Sequence, residues 1–319
     1  MKKIAVITSG GDCPGMNAAI RAVVRVALTC GIEVWGIRNG YAGMIADDMT
    51  KLDSRSVGDI IQKGGTFLGT ARSEEFKTLQ GQQKAAGNLQ AHGIEGLVVI
   101  GGDGSLTGAK QLSELGIKIV GLPGTIDNDI WGTDYTIGFD TAVNTALDAI
   151  NKLRDTASAH GRVMLVEVMG RACGWIALTA GLAGGAEIIL IPEQPFSSDN
   201  ICKKLVDSRS KGKKYSIIVV AEGASSAIDL GKYISAKTGL ETRVSVIGHI
   251  QRGGAPTVAD RLLASRLAER AVRALADGRS DVMIGYHNNQ CVEVPIADAV
   301  GKKKDIDPEL YRLADVLSQ

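Results

Sequence analysis

Short runs of aliphatic and β-branched residues alternate along this chain with longer stretches whose apolar positions recur at helical spacing. The runs Ile4–Thr8, Glu33–Ile37, Gly96–Ile100, Ile119–Leu122, Val163–Val168, Glu187–Ile191, Ser216–Ala221 and Val244–Ile247 predict strands. Several are apolar at nearly every position, the pattern of parallel strands covered on both faces. Between them, Ile20, Val23, Val24, Ala27 and Leu28 form one apolar stripe of a helix. A second long helix is predicted from about 140 to 158, carrying Val143, Ala146, Leu147, Ile150 and Leu153. The alternation predicts the α/β class, doubly wound with mostly parallel sheets, and built more than once.

With 319 residues, the chain has room for two domains of about 150 residues each. No Pro- or Ser-rich linker separates them. A polar loop gives way to a long helix near Gly138, and Gly248–Gly254 reads as a second crossing, which predicts discontinuous domains. Apolar residues make up 45% and charged residues 22%, a mixture that buries large cores and excludes wholesale disorder. The 36 basic and 35 acidic groups leave a formal charge of +1, so no global field draws nucleic acid or an anionic membrane. Runs such as Ile188–Ile191 and Ile217–Ala221 fall far short of the ~20 residues of a membrane helix. Lys2 and Lys3 precede apolar Ile4–Ile7, but Ser9-Gly10-Gly11-Asp12 ends that run, so no cleavable signal is expected. The cysteines are five, an odd number without CxxC spacing, which argues against a disulfide framework or structural zinc and for a reducing cytoplasm. Aromatics, at 4%, are too few for single-strand stacking platforms.

In open α/β sheets, ligands sit beyond the carboxyl ends of the strands, so the residues following each strand carry the chemistry. Ser9-Gly10-Gly11-Asp12 follows the first, Gly101-Gly102-Asp103-Gly104-Ser105 the third and Pro123-Gly124-Thr125-Ile126-Asp127-Asn128-Asp129 the fourth. Met169-Gly170-Arg171, Glu222-Gly223 and Gly248-His249-Ile250-Gln251-Arg252-Gly253-Gly254 follow later ones. The two Gly-Gly-Asp loops predict phosphate cradles, because glycine lets the backbone approach an oxyanion and a helix N-terminus aims free N–H groups at it. Neither is a Walker loop, and Gly108 stands one residue late for GxGxxG, which weakens a dinucleotide reading. Asp103 beside polyphosphate suits a bridging Mg²⁺; the alternative is that Asp12 and Asp103 only cap their helices. Asp127 or Asp129 could take the proton of an attacking hydroxyl, or the Asp-Asn-Asp cluster could bind metal or form a turn. Arg72, without a strand before it, reads equally as a surface arginine. Arg171, Glu222, His249 and Arg252 together suit a phosphorylated polyol. Arg21 and Arg25 share a helix face one turn apart, and Lys211, Lys213 and Lys214 form a compact run; by themselves such groups are solvated surface.

Taken in order and spacing, Ser9-Gly-Gly-Asp-Cys-Pro-Gly-Met-Asn-Ala-Ala, Gly101-Gly-Asp-Gly-Ser, Pro123-Gly-Thr-Ile-Asp-Asn-Asp, Met169-Gly-Arg and Gly248-His-Ile-Gln-Arg-Gly-Gly closely resemble the bacterial ATP-dependent 6-phosphofructokinases, nearly end to end. The resemblance implies two Rossmann-like domains, residues 1–138 with 251–301 for ATP and residues 139–250 with 302–319 for fructose 6-phosphate, with the active site in the cleft between them. It implies that ATP meets Gly11, Arg72, Ser73, Gly102, Asp103, Gly104, Ser105 and Gly108, with Mg²⁺ at Asp103. Thr125, Ile126, Asp127, Met169, Gly170, Arg171, Glu222, His249, Ile250, Gln251 and Arg252 would hold the sugar phosphate. Arg162 and Arg243 would reach it from a neighbouring subunit of a homotetramer. Asp127 would be the base, supported by Thr125, Asp129, Gly11, Arg72 and Arg171.

The same resemblance implies an effector site for ADP or GDP and phosphoenolpyruvate. Arg21, Arg25, Arg55, Asp59, Arg154 and Gly185 match positions there, as do Glu187, Lys211, Lys213, Lys214 and Tyr215. Pyrophosphate-using relatives typically carry Asp and Lys where this chain has Gly104 and Gly124, which implies ATP as donor. Leu106, Trp175, Ser73-Glu74, Tyr215 and Ser54-Arg55 depart from the family pattern without removing a catalytic group. A kinase acting on NAD or lipid, sharing the Gly-Gly-Asp-Gly loop, leaves Pro123–Asp129 and Gly248–Gly254 unaccounted for. A non-catalytic nucleotide sensor would not need both Asp127 and Arg171. No nucleic acid or membrane partner is expected.

Overall fold

The computed structural model describes residues 1–317. In chain order the first strands and helices are β1 (Lys3–Ser9), α1 (Met16–Thr29), β2 (Glu33–Ile37), α2 (Gly40–Ile45), β3 (Met49–Leu52), α3 (Leu79–Ala91), β4 (Gly96–Gly101), α4 (Asp103–Glu114) and β5 (Lys118–Pro123). They are followed by α5 (Phe139–His160), β6 (Val163–Val168), α6 (Trp175–Ala183), β7 (Ile188–Leu190), α7 (Ser198–Ser210), β8 (Ser216–Ala221), α8 (Ala227–Thr238) and β9 (Thr242–Val246). The chain closes with α9 (Val258–Ala276), β10 (Val282–His287), β11 (Gln290–Pro295), α10 (Ile296–Gly301) and α11 (Pro308–Leu317). Among the described residues no helix is long and apolar enough to cross a membrane.

Two compact units emerge: residues 1–141 with 252–304, and residues 142–251 with the chain from 305. The first is built on a seven-stranded sheet of order β11-β10-β5-β4-β1-β2-β3. Its interior strands are parallel, while β3 and β11 run antiparallel at the two edges. The near-continuous apolar runs have a direct cause: every residue of β4 and Ile4–Ser9 of β1 are buried, so neither face meets water. One face carries Ala5, Ile7, Leu97, Val99 and Ile119 against Tyr41, Met44, Phe76, Leu89 and Leu112. On the other helix layer α1 packs along α9. Leu28, expected in the α1 stripe, is 38% exposed and does not belong to it. The last helical turn has passed the sheet by then, and Cys30 and Gly31 are already exposed.

The second unit is a four-stranded parallel sheet, β7-β8-β6-β9. Leu165, Ile218 and Val220 pack there against Ile201, Leu205, Leu230 and Ile234. Gln251, expected with the first domain, groups with this unit because its buried side chain accepts from Met169 N–H at 2.7 Å. Phe139, Asp140, Thr141 and Lys302, Lys303, Lys304, expected with the second domain, group with the first. Lys303 forms an antiparallel bridge with Ile130, and Lys304 Nζ donates to the Asp134 carbonyl at 2.7 Å.

Three strands, β3, β10 and β11, lie outside the sequence expectation. The last two form a hairpin whose turn residues Asn288 and Asn289 sit at φ 49° and 63°. Asparagine tolerates this left-handed region, and a two-residue turn with both φ positive matches strand twist. A β-branched residue there pays the αL penalty, so Asn289→Val should lower stability by about 1–2 kcal/mol, read as a shifted thermal midpoint. Asn289→Gly should stay within about 0.5 kcal/mol of the starting protein.

Candidate active site

In the first unit the strand order changes direction between β1 and β4. The chain winds from β1 to β2 on one side and resumes with β4 on the other, leaving a crevice at the carboxyl ends. The register aligns those ends: Ser9 pairs with Gly101, and Gly101 with Pro123. Gly10–Gly11, Gly102–Ser105 and Gly124–Asp129 therefore leave the sheet side by side. A cleft of about 580 Å³ opens there, lined by all three loops together with Arg72, Ser73 and Arg252.

Contacts around the glycines are tight. A Cβ on Gly101 would come within 2.6 Å of the Ser9 carbonyl, and one on Gly10 within 3.0 Å of Ser105 Oγ. At Gly11 it would meet Arg252 Nη1 at 2.5 Å, and that guanidinium donates to the Asp12 carbonyl at 3.0 Å. Arg252 thus belongs to the cleft beside the first glycine loop. Gly108 is explained differently from a dinucleotide fingerprint: its Cβ would collide at 2.8–2.9 Å with the rings of Tyr41 and Phe76. Those rings stack with centroids 3.9 Å apart and line the cleft, a feature the sequence reading missed. Around Gly104 nothing lies within 4 Å, whereas a Cβ on Gly124 would press on Ile100 at 3.0 Å and the Gly101 nitrogen at 3.3 Å. A side chain at 104 would enter open cleft; at 124 it would first strain the sheet.

Neither loop aspartate caps its helix. The N-cap of α1 is Gly15 and that of α4 is Gly102, both without a side-chain cap bond. Asp103 stands in the first turn of α4, exposed. The first turn of α4 lines the cleft and has no capping side chain, the arrangement that receives an anion. Arg72 owes its place to hydroxyls rather than to a strand. Thr70 Oγ1 donates to the Gly10 carbonyl at 2.7 Å and Thr8 Oγ1 to the Gly69 carbonyl at 2.9 Å, tying the 66–72 segment to the β1 tip. Ser73 Oγ accepts from Phe76 N–H at 3.2 Å, opening a short 3₁₀ turn at Glu75–Lys77.

The Asp127 loop is self-braced. Asp127 N–H donates to Thr125 Oγ1 at 3.2 Å, and Thr136 Oγ1 donates to the Thr125 carbonyl at 2.6 Å. Buried Asn128, at φ 55°, accepts from Thr136 N–H at 3.0 Å and donates to the Asp134 carbonyl at 3.2 Å. Ile126 is fully buried, so it anchors the loop and leaves Asp127 and Asp129 to the cleft. Burial, then the charges of Asp127 and Asp103, push the Asp129 carboxyl up to about 6. Partial desolvation by the surrounding loops also raises Asp103, although its side chain remains exposed. Carboxylates that repel one another in the same cleft suit a divalent cation. Among the described residues no three His, Cys, Asp or Glu side chains form a metal cage. A Mg²⁺ at Asp103 would therefore complete its shell with phosphate and water, its common habit.

In the second unit, Met169–Arg171, Glu222–Gly223 and Gly248–Gln251 follow β6, β8 and β9, and pairing of Val168 with Ala221 brings the first two together. Gly170 lies at φ 139°, and a Cβ on Gly223 would overlap the Arg171 carbonyl. Arg171, Glu222, His249 and Ile250 are exposed, whereas Gln251 is buried and holds Met169. Arg162 and Arg243 are not with them. Both grip Glu241, at 2.8 and 2.5 Å, at the opposite end of β6.

The expected effector residues fall into two groups. Arg25 and Arg55 share an open groove of the first unit, with Arg21 a turn back on α1 and Asp59 at φ 53° nearby in sequence. In the second unit Arg154 donates to the Gly185 carbonyl at 2.8 Å and to Tyr215 Oη at 3.3 Å, and Lys213 pairs with Glu187 at 3.1 Å. Lys211 and Lys214 flank that pair in sequence.

The phosphofructokinase family model matches residues 3–275. An ATP-dependent 6-phosphofructokinase of Clostridium tetani is 58% identical over 318 residues, and one of Clostridium botulinum is 56% identical over 319, each covering all of both chains. Among solved structures, the T-state crystal structure of Pichia pastoris phosphofructokinase superposes with a TM-score of 0.90 at 39% identity. The match covers 94% of this chain and 35% of that one.

The raised Asp129 carboxyl gives a pH signature. The folded chain holds this proton more tightly than the unfolded one, so ligand-free stability falls as pH climbs from the ordinary 3.8 through about 6. Asp129→Asn should therefore raise the unfolding free energy from urea titration at pH 8 by on the order of 1–3 kcal/mol, and leave it unchanged near pH 3.5. A loss of stability at pH 8 would contradict this.

Proposed function

The chain belongs to the phosphofructokinase family, and from that premise we propose how its residues transfer the γ-phosphoryl group of ATP to the 1-hydroxyl of fructose 6-phosphate. The reaction is the ATP-dependent 6-phosphofructokinase step of glycolysis. The observation that carries the assignment of roles is the meeting of two glycine loops, Arg72 and Asp127 in one cleft of the first unit.

Backbone N–H groups at Gly11 and Gly102–Ser105, with the positive end of α4, receive the donor phosphates. Gly108 leaves Tyr41 and Phe76 room along the cleft wall. Asp103, with Asp129 beside it, would hold Mg²⁺, which when bound offsets phosphate charge. Asp127 accepts the proton of the 1-hydroxyl as that oxygen bonds to the γ-phosphorus and the bond to the ADP oxygen breaks. Arg72 meets charge on the moving group, and Arg252 adds a cation beside Gly11. In such a transfer catalysis is positioning and charge neutralisation, for which fixed loops are the requirement. On the second unit Arg171 supplies a cation for the acceptor, Glu222 takes its hydroxyls, and His249 with the Met169–Gly170 backbone completes the set. Gln251 acts through Met169, whose N–H it accepts.

Arg162 and Arg243 serve the acceptor of a neighbouring copy in a homotetramer. Their position at the far end of β6 from Arg171 supports this, because they cannot join their own unit's acceptor set. ADP or GDP and phosphoenolpyruvate bind at the Arg21–Arg25–Arg55 and Arg154–Lys213 groups, each of which concentrates cations. The reducing cytoplasm is the compartment that fits an enzyme of this pathway.

Asp127→Ser should lower kcat by about 10² to 10⁴-fold, with the circular dichroism spectrum unchanged. A purified variant within tenfold of the parent would remove Asp127 as base. A coupled assay should show turnover with ATP and none with pyrophosphate. Gly104→Asp, placing a carboxylate in open cleft, should raise the KM for ATP by tenfold or more, on the order of 1.4 kcal/mol.

A further inference from the structure

Asp260 is 1% exposed, yet none of the roles above employs it. It occupies the first turn of α9, whose N-cap is Thr257. A carboxylate at this position ordinarily turns back to the N–H of its own N-cap residue, closing a capping box. Half of that box is present: Asp260 N–H donates to Thr257 Oγ1 at 3.3 Å. The other half has been exchanged with a different helix. Thr257 N–H donates to Thr141 Oγ1 at 3.0 Å, and Thr257 Oγ1 donates to Asp140 Oδ2 at 2.6 Å. The Asp260 carboxylate reaches the start of α5 instead, accepting Gly138 N–H at 2.8 Å, Thr141 N–H at 2.9 Å and the Thr141 hydroxyl at 2.5 Å. The helices α5 and α9 thus cap each other, and every bond of the exchange lies within the first unit.

What adjoins this clamp gives it a consequence for the site. Gly138 follows Ile137, the residue that closes the Asp127 loop: Ile137 N–H donates to the Pro123 carbonyl at 2.9 Å, and Thr125 N–H donates to the Ile137 carbonyl at 3.1 Å. That same carbonyl accepts Cys13 Sγ–H at 3.1 Å. A Cβ on Gly138 would stand 2.6 Å from Cys13 Cβ, and one on Gly15 would stand 2.6 Å from Ile137 and 3.6 Å from Asp260. Both glycines have positive φ, 100° and 106°. The segment after Gly11 and the end of the base loop are therefore packed closely together beside the buried carboxylate, at two positions where only glycine leaves room.

The geometry points to Asp260 as a positioning residue for phosphoryl transfer, holding through Gly138 and Thr141 the exit of the Asp127 loop against the first glycine loop. This rests on the reaction proposed above, in which Asp127 is the base. Its chemistry is specific to a carboxylate. Three donors converge on two oxygens, so an amide in its place would aim its own N–H groups at another donor. Threonine at 141 is equally specific, because its hydroxyl both donates to Asp260 and accepts from Thr257.

The test uses the full chain carrying Asp260→Asn, Thr141→Val or Thr141→Ser, assayed with ATP and fructose 6-phosphate well below each protein's melting temperature. Displacing the base by a fraction of an ångström should cut kcat by ~10- to 100-fold in Asp260→Asn and Thr141→Val, with the KM for ATP within ~3-fold. Thr141→Ser, which keeps the hydroxyl, should restore kcat to within ~3-fold of the parent. A kcat unchanged in a folded variant that merely melts earlier overturns the proposal and leaves a structural cap. So does a loss confined to the KM for ATP. Should Asp260→Asn fail to fold, Thr141→Val and Thr141→Ser decide by the same criteria. Parent turnover on this substrate pair tests the reaction itself. If the parent is inactive, hydrogen exchange in residues 125–137 reads the clamp without catalysis: faster exchange there in Thr141→Val supports it, and identical exchange overturns it.

Discussion

Parallel pairing in step is the constraint on which the candidate site rests. Ser9, Gly101 and Pro123 occupy one row across β1, β4 and β5, so three loops begin at the same height and share one opening. A slip of one residue would turn every buried side chain of these strands to the opposite helix layer. Register is thus held by the entire core, from Ile7 and Val99 to Ile119. The loops inherit a position that no contact of their own could set as firmly. Small residues at each exit then allow close approach, of Gly101 to the Ser9 backbone and of Gly10 to the Ser105 hydroxyl.

Onto this scaffold the first unit gathers charge that is unfavourable without a ligand. Asp103, Asp127 and Asp129 line one cleft, and the Asp129 carboxyl is raised first by burial and then by the charges of the other two. Arg72 and Arg252 stand at the side of the first glycine loop. A polyanion carried with a divalent cation answers both groups at once, whereas either partner alone answers only one. Groups held in place in this way need little rearrangement to meet their ligand.

The interior of this architecture is legible in the sequence because buried parallel strands are written as unbroken apolar runs. Ile4–Thr8, Gly96–Ile100 and Ser216–Ala221 announce themselves in that way. Edge strands carry no such signature. Met49–Leu52 has only Leu52 buried, and Gln290–Pro295 only Val294, so they read as polar connections. The Asn288-Asn289 pair was the available clue to the hairpin. Loop residues with chemistry were legible wherever a strand preceded them. Tyr41 and Phe76 were not, since a buried aromatic on a short helix looks like core until its neighbours in space are known. Asp260 was invisible for the same reason: its partners Gly138 and Thr141 are distant in sequence, and nothing in Thr-Val-Ala-Asp distinguishes an ordinary capping box from one exchanged between helices. Leu28 shows the reverse error, a helical period continuing one residue past the sheet it serves.

The first unit is assembled from two separated segments, 1–141 and 252–304, with residues 142–251 between them. During synthesis, β5 leaves the ribosome as an open edge, and the apolar stripe of α1 waits for α9 to cover it. At translation rates of about 5–20 residues per second, that interval lasts on the order of ten seconds. Throughout it the nascent chain displays Val120 and Leu122 on a strand paired along one edge only, the kind of surface that chaperones shield. Each unit thus waits for a segment made after the other has begun, and the glycine loops meet their arginine at 252 only after most of the protein already exists.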